Sequence, residues 1–77
     1  MDPALLEIFN QVRLNKKQPS LLEVTASTRL REDMGFESLD LAELTVRIEA
    51  RFKVDVFADS LVYTVGEIQK KISHAVQ

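Results

Sequence analysis

Residues 33–40 read DMGFESLD, and the next twelve, LAELTVRIEARF, repeat their apolar residues at helical spacing. The junction between these two stretches decides the fold. Gly35 accepts backbone angles that other residues avoid, so the chain turns there. Ser38 then stands where a helix begins, and serine is among the best residues for capping a helix N-terminus. The same place suits a phosphate, because free backbone N–H groups and the positive end of the helix dipole face it. On these residues alone Ser38 is either a cap and nothing more, or a hydroxyl presented for modification.

The helix that follows is expected over residues 39–52. At 100° per residue Leu41, Leu44, Ile48 and Phe52 share one face, assigned to the core, while Asp40, Glu43, Arg47 and Arg51 share another, assigned to water. Leu39, Ala42 and Val46 form a second apolar stripe beside the acids. A two-helix packing needs one apolar face, so this stripe is either further core or a docking surface for a partner.

Upstream, Asp2 is an N-cap, Pro3 fits the first helical position and Glu7 lies early in the dipole. Leu5, Ile8, Phe9 and Val12 give that helix one apolar face, which decays toward Pro19. Residues 18–37 form a long connection, a length uncommon in compact domains and often functional. Leu21, Leu22, Val24, Leu30 and Met34 are expected to pin it to the core. Downstream, Val54 and Val56 mark a short extended segment too isolated for a sheet, and Asp59 is expected to cap a brief third helix through Val62. Thr64 and Glu67 read as a capping box opening a last helix on Val65, Ile68, Ile72 and Val76, in which Gly66 permits a close approach to a neighbour. The expectation is a single all-α domain over residues 1–77, with three longer helices, one short helix and a long loop between the first and second.

Seventy-seven residues lie near the lower limit for a single unaided core, and 45% hydrophobic residues supply the material for one. With no cysteine, disulfides, thiolate metal sites and a cysteine nucleophile are excluded. A net charge of −2 argues against nucleic acid, which demands a basic surface. Lys16-Lys17 and Lys70-Lys71 read as solvated helix ends, no apolar run reaches the roughly 20 residues of a membrane span, and no signal peptide is visible. A cytoplasmic location follows as the expectation.

His74 is the single histidine and lies near the C-terminus, with no spacing that would orient it toward Ser38 for serine–histidine–acid catalysis. Glu37, Asp40 and Glu43 read as a solvated acidic edge rather than an acid–base pair. Metal-ligand motifs and phosphate-cradling glycine loops are absent. The chain is not expected to be an enzyme. Acids beside a phosphate site repel it, so they need another purpose, such as binding a divalent metal or the basic side chains of a modifying enzyme.

At this point residues 31–40, REDMGFESLD, resemble the attachment motif of the acyl carrier protein family, Asp-x-Gly-x-Asp-Ser-Leu-(Asp). The likeness extends through residues 41–56 to TVGEI at 64–68, covering roughly residues 24–72, while the first helix agrees by position and type. The resemblance implies a small four-helix bundle. Ser38 would receive 4′-phosphopantetheine from coenzyme A, transferred by a phosphopantetheinyl transferase (holo-synthase) with magnesium. The thiol of that arm would carry acyl groups as thioesters, so the missing cysteine is imported. Partners would be that transferase, an acyl-loading ligase or acyltransferase, and synthase or transferase enzymes of fatty-acid, polyketide or related biosynthesis, with the carrier itself a monomer. Leu39, Ala42 and Val46 match the family's recognition stripe, Glu37, Asp40 and Glu43 its acidic partner-facing positions, and Leu44, Ile48 and Val65 its acyl-sheltering core.

Three departures stand out. Glu37 replaces the usual Asp before the serine, and Phe57 stands where proline is common. Arg47, Arg51 and Lys53 dilute the acidity, leaving four acids against three bases over residues 37–53. A carrier serving many basic enzymes is expected to be more acidic, so a dedicated carrier of a specialised pathway is favoured. The chain starts at Met1 and ends soon after the last helix, which favours a free-standing carrier over a megasynthase module. An aminoacyl or peptidyl carrier is the alternative within the superfamily, and Glu37 counts against it. An unmodified helical adaptor is the alternative outside it.

Overall fold

The computed structural model describes residues 2–21, 23–58 and 61–75, and three α-helices carry them: α1 (Pro3–Asn15), α2 (Ser38–Phe52) and α3 (Val65–Ala75). No strand forms among the described residues; Arg29 and Thr64 make one isolated antiparallel bridge. The chain begins as expected, with the Asp2 Oδ1 accepting the Ala4 N–H at 2.8 Å and Pro3 opening α1. Leu5, Phe9 and Val12 are fully buried against Leu44 and Ile48 of the α2 core face, and Leu41 and Phe52 pack at its edge. Each such buried side chain contributes roughly 1.5–3 kcal/mol.

The polar residues of α1 have a function that periodicity did not reveal. Asn10 clasps Leu21, accepting its N–H at 2.7 Å and donating to its carbonyl at 3.1 Å. Arg13, 8% exposed, donates to the Pro19 carbonyl at 2.9 Å and the Met34 carbonyl at 2.5 Å. The long connection is therefore laced to α1 by polar bonds as well as by burial of Leu30, Met34 and Phe36. Leu21 and Val24 pack partly against the core, and Leu22 lies outside the described residues.

A second lacing joins this loop to the start of α3. Leu30 N–H donates to the Tyr63 carbonyl at 2.9 Å, Val65 N–H to Thr28 at 3.0 Å and Gly66 N–H to Ala26 at 2.8 Å. Gly66 is required there, since a β-carbon would stand 2.9 Å from the Ala26 oxygen. The capping box forms: Thr64 N–H donates to Glu67 Oε1 at 3.1 Å, and Glu67 N–H to Thr64 Oγ1 at 3.3 Å. Val65 and Ile68 are buried and Ile72 is partly so, while Val76 lies outside the described residues.

Between α2 and α3 no further helix forms among the described residues. Lys53 ends α2 in the left-handed region at φ 63°, Val56 and Val62 are buried, and Leu61 and Val62 belong to no helix. Asp59, the expected cap of the short helix, lies outside the described residues.

Candidate functional site

The segment before Ser38 is held residue by residue. Gly35 turns the chain at φ +74°, and its N–H donates to the Arg31 carbonyl at 3.0 Å. Phe36 is buried at 2% exposure, and its N–H donates to the Leu30 carbonyl at 3.0 Å. Asp33, upstream, accepts the backbone N–H of Arg29 at 2.7 Å and pairs with its guanidinium at 3.1 Å. The Arg29 guanidinium and backbone N–H hold the Asp33 carboxyl below its usual range.

Ser38 is not the N-cap. That position belongs to Glu37, in extended conformation (φ −101°, ψ 179°), whose carbonyl accepts the Leu41 N–H at 2.9 Å. The Asp40 carboxylate folds back to accept the Glu37 N–H at 2.8 Å, half of a capping box written with acids instead of serine. Ser38 is the first residue of α2; it is exposed, and its hydroxyl has no hydrogen-bond partner among the described residues. A serine before a helix signals a cap, but the acid three residues after the true N-cap was the better guide.

Asp40 and Glu43 do not form the solvated edge that helical periodicity assigned them. Lys16 reaches from the end of α1 to place Nζ 2.6 Å from Asp40 Oδ2, with side-chain exposures of 23% and 15%. Asp40 is accordingly held below the ordinary carboxyl range, first by the Glu37 N–H and then by the Lys16 ammonium. Glu43 accepts from the Asn15 amide at 2.7 Å and from Arg47 Nε at 2.8 Å. Lys16, read as a solvated helix end, is in fact half-buried. Glu37 remains exposed.

The second stripe faces outward. Leu39 is 82% exposed, Val46 67%, and Ala42 is exposed between them. The described residues leave this stripe uncovered.

A groove of about 390 Å³ opens beside Ser38. Leu41, Ala42 and Thr45 of α2 form one side, Phe57, Leu61, Val62 and Tyr63 the other, and Arg31 lies at the loop. Phe57, which stands where proline is common in the family, and Tyr63 therefore line the groove that Ser38 borders. Leu44, Ile48 and Val65 do not line it; they are fully buried in the core. Among the described residues no group of three or more His or acidic side chains is placed to hold a metal, and no helix is long and apolar enough to cross a membrane.

An exposed, unengaged serine hydroxyl at the head of a helix, with an open groove of largely apolar walls beside it, fits a long flexible group joined through that oxygen. Residues 5–70 match the family described as phosphopantetheine attachment site. An acyl carrier protein of Phytoplasma australiense is 35% identical over 52 residues, covering 68% of each chain. No solved structure matches. The chain belongs to the acyl carrier protein family, a class of carriers rather than enzymes, with 4′-phosphopantetheine as the prosthetic group.

Proposed function

We propose that Ser38 is the attachment residue and that the chain delivers acyl groups to the enzymes of a dedicated biosynthetic pathway. The observation that carries this reading is the Ser38 hydroxyl, exposed and unused by the fold at the start of α2. When attached, the arm supplies a terminal thiol that holds the acyl group as a thioester. The chain's own residues do the rest. Glu37 and Asp40 fix the helix start without drawing on Ser38, Lys16 holds the turn and the first helical turn together, and the groove walls offer apolar surface beside the attachment oxygen.

Leu39, Ala42 and Val46 form the face on which a phosphopantetheinyl transferase, an acyl-loading ligase or acyltransferase, and a synthase would dock in turn, with Glu37 beside them. Asp40 and Glu43 act on recognition chiefly by shaping α2, since their charges are paired within the chain. That pairing supports a specialised carrier over one steering many basic partners, because unpaired surface charge is what accelerates encounter.

Incubation with coenzyme A and a broad-specificity transferase tests the reading. A mass increase of one phosphopantetheinyl group is expected, absent in a folded Ser38→Ala variant. No addition, under conditions that load a control carrier, sinks the proposal and favours an unmodified adaptor.

A further inference from the structure

The arginines of this chain are almost all engaged. Arg13 donates to two backbone carbonyls, Arg29 pairs with Asp33 and Glu32, Arg47 with Glu43, and Arg51 lies 5.6 Å from the centroid of the Phe52 ring. Arg31 differs. Its backbone is fixed, the carbonyl accepting Gly35 N–H at 3.0 Å, but its exposed guanidinium has no polar or aromatic partner among the described residues. It borders the same groove as Ser38, whose walls are otherwise largely apolar.

The charges around Ser38 make this position selective. Lys16 is already committed to Asp40 and to the Gly35 carbonyl, and Glu37 is an acid. Arg31 is the cation left to face an anion in the groove. A phosphodiester at Ser38 Oγ carries one negative charge and two non-bridging oxygens, which a planar guanidinium can meet with two parallel N–H donors. A lysine would offer a point charge without that fork.

We propose that Arg31 is a positioning residue that clamps the phosphodiester of the arm on Ser38, directing the arm along the groove toward Leu61 and Tyr63. The proposal rests on Ser38 being the attachment residue, and the test separates the two. Wild type, Arg31→Gln and Arg31→Lys are loaded to completion with coenzyme A carrying 15N in its pantetheine amides, and loading is checked by mass; failure of the wild type to load overturns the attachment reading itself. In fully loaded protein, NMR then reads the Arg31 Nε–H resonance and the mobility of the pantetheine amide nearest the phosphate. The Arg31 resonance is expected to shift on loading, and the amide order parameter to fall below about 0.6 in Arg31→Gln, with Arg31→Lys between that variant and wild type. An Arg31 resonance unchanged between unloaded and fully loaded wild type overturns the clamp, as does equal arm mobility in wild type and Arg31→Gln. Should Arg31→Gln fail to fold, the wild-type resonance alone decides.

Discussion

Lys16 holds two points on either side of Ser38: its ammonium lies 2.6 Å from Asp40 Oδ2 and donates to the Gly35 carbonyl at 2.7 Å. One side chain just past the end of α1 thus ties the glycine turn to the first turn of α2. Lys16→Met keeps the aliphatic stem and removes both bonds. A loss of about 1–2 kcal/mol in denaturant-derived stability is expected, since hydrogen bonds to charged groups are stronger than neutral ones. A double-mutant cycle with Asp40→Asn measures the coupling, and strict additivity would falsify the link.

The depressed Asp40 carboxyl gives stability a definite pH dependence. Its pKa is lowered in the folded protein by the Glu37 N–H and Lys16. The unfolded chain then binds more protons below the ordinary carboxyl value of about 3.9. The contribution is therefore complete above that value and is lost as pH falls through the lower folded value. Asp33, lowered by Arg29, acts in the same direction at the surface. Asp40→Asn is expected to flatten the acid limb of a stability–pH curve below about pH 4; an unchanged limb would remove Asp40 from its cause.

Arg13 offers a sharper test of the loop. Arg13→Met fills similar space but leaves the Pro19 and Met34 carbonyls without its donors; the Met34 carbonyl is buried, and one unsatisfied buried group costs about 1–3 kcal/mol. Faster amide hydrogen exchange around residues 29–36 should accompany the loss. Protection equal to wild type would show that other contacts hold the loop.

Gly66→Ala should destabilise even though alanine is the better helix former by about 1 kcal/mol. The added carbon meets the Ala26 carbonyl oxygen at 2.9 Å and its β-carbon at 3.2 Å. Displacing that backbone strains the Gly66–Ala26 hydrogen bond, and overpacking of this kind costs about 1–3 kcal/mol. A thermal midpoint at or above wild type would mean that residues 26–28 move aside freely.

The outward stripe should matter to loading and not to folding. Leu39→Ala is expected to leave the thermal midpoint within experimental error, because the side chain is 82% exposed. Truncating a docking anchor costs upward of about 1 kcal/mol, so kcat/KM for phosphopantetheinyl transfer should fall at least about fivefold. Loading at the wild-type rate would exclude Leu39 from the docking face.

The apolar half of the fold was legible because it obeys a period. Leu5, Phe9 and Val12 on α1, Leu44 and Ile48 on α2, and Val65 and Ile68 on α3 are buried where helical spacing puts them. The Thr64–Glu67 box was legible as a local rule between neighbours. The acids of α2 were misread for the converse reason. Asp40 and Glu43 lie off the apolar face, but their burial depends on Lys16 and Asn15, which arrive from another helix across the turn. Periodicity describes one helix at a time and carries no knowledge of what a second helix brings. Buried Arg13 escaped notice likewise, since nothing within α1 shows that two loop carbonyls need its donors.

Delegating the helix start to Glu37 and Asp40 has a consequence for the life of the protein. Because no hydrogen bond among the described residues uses the Ser38 oxygen, a group joined there as proposed would leave those bonds intact. If Ser38 is the attachment residue as proposed, the unmodified chain is already a finished scaffold and is expected to fold before any group is added.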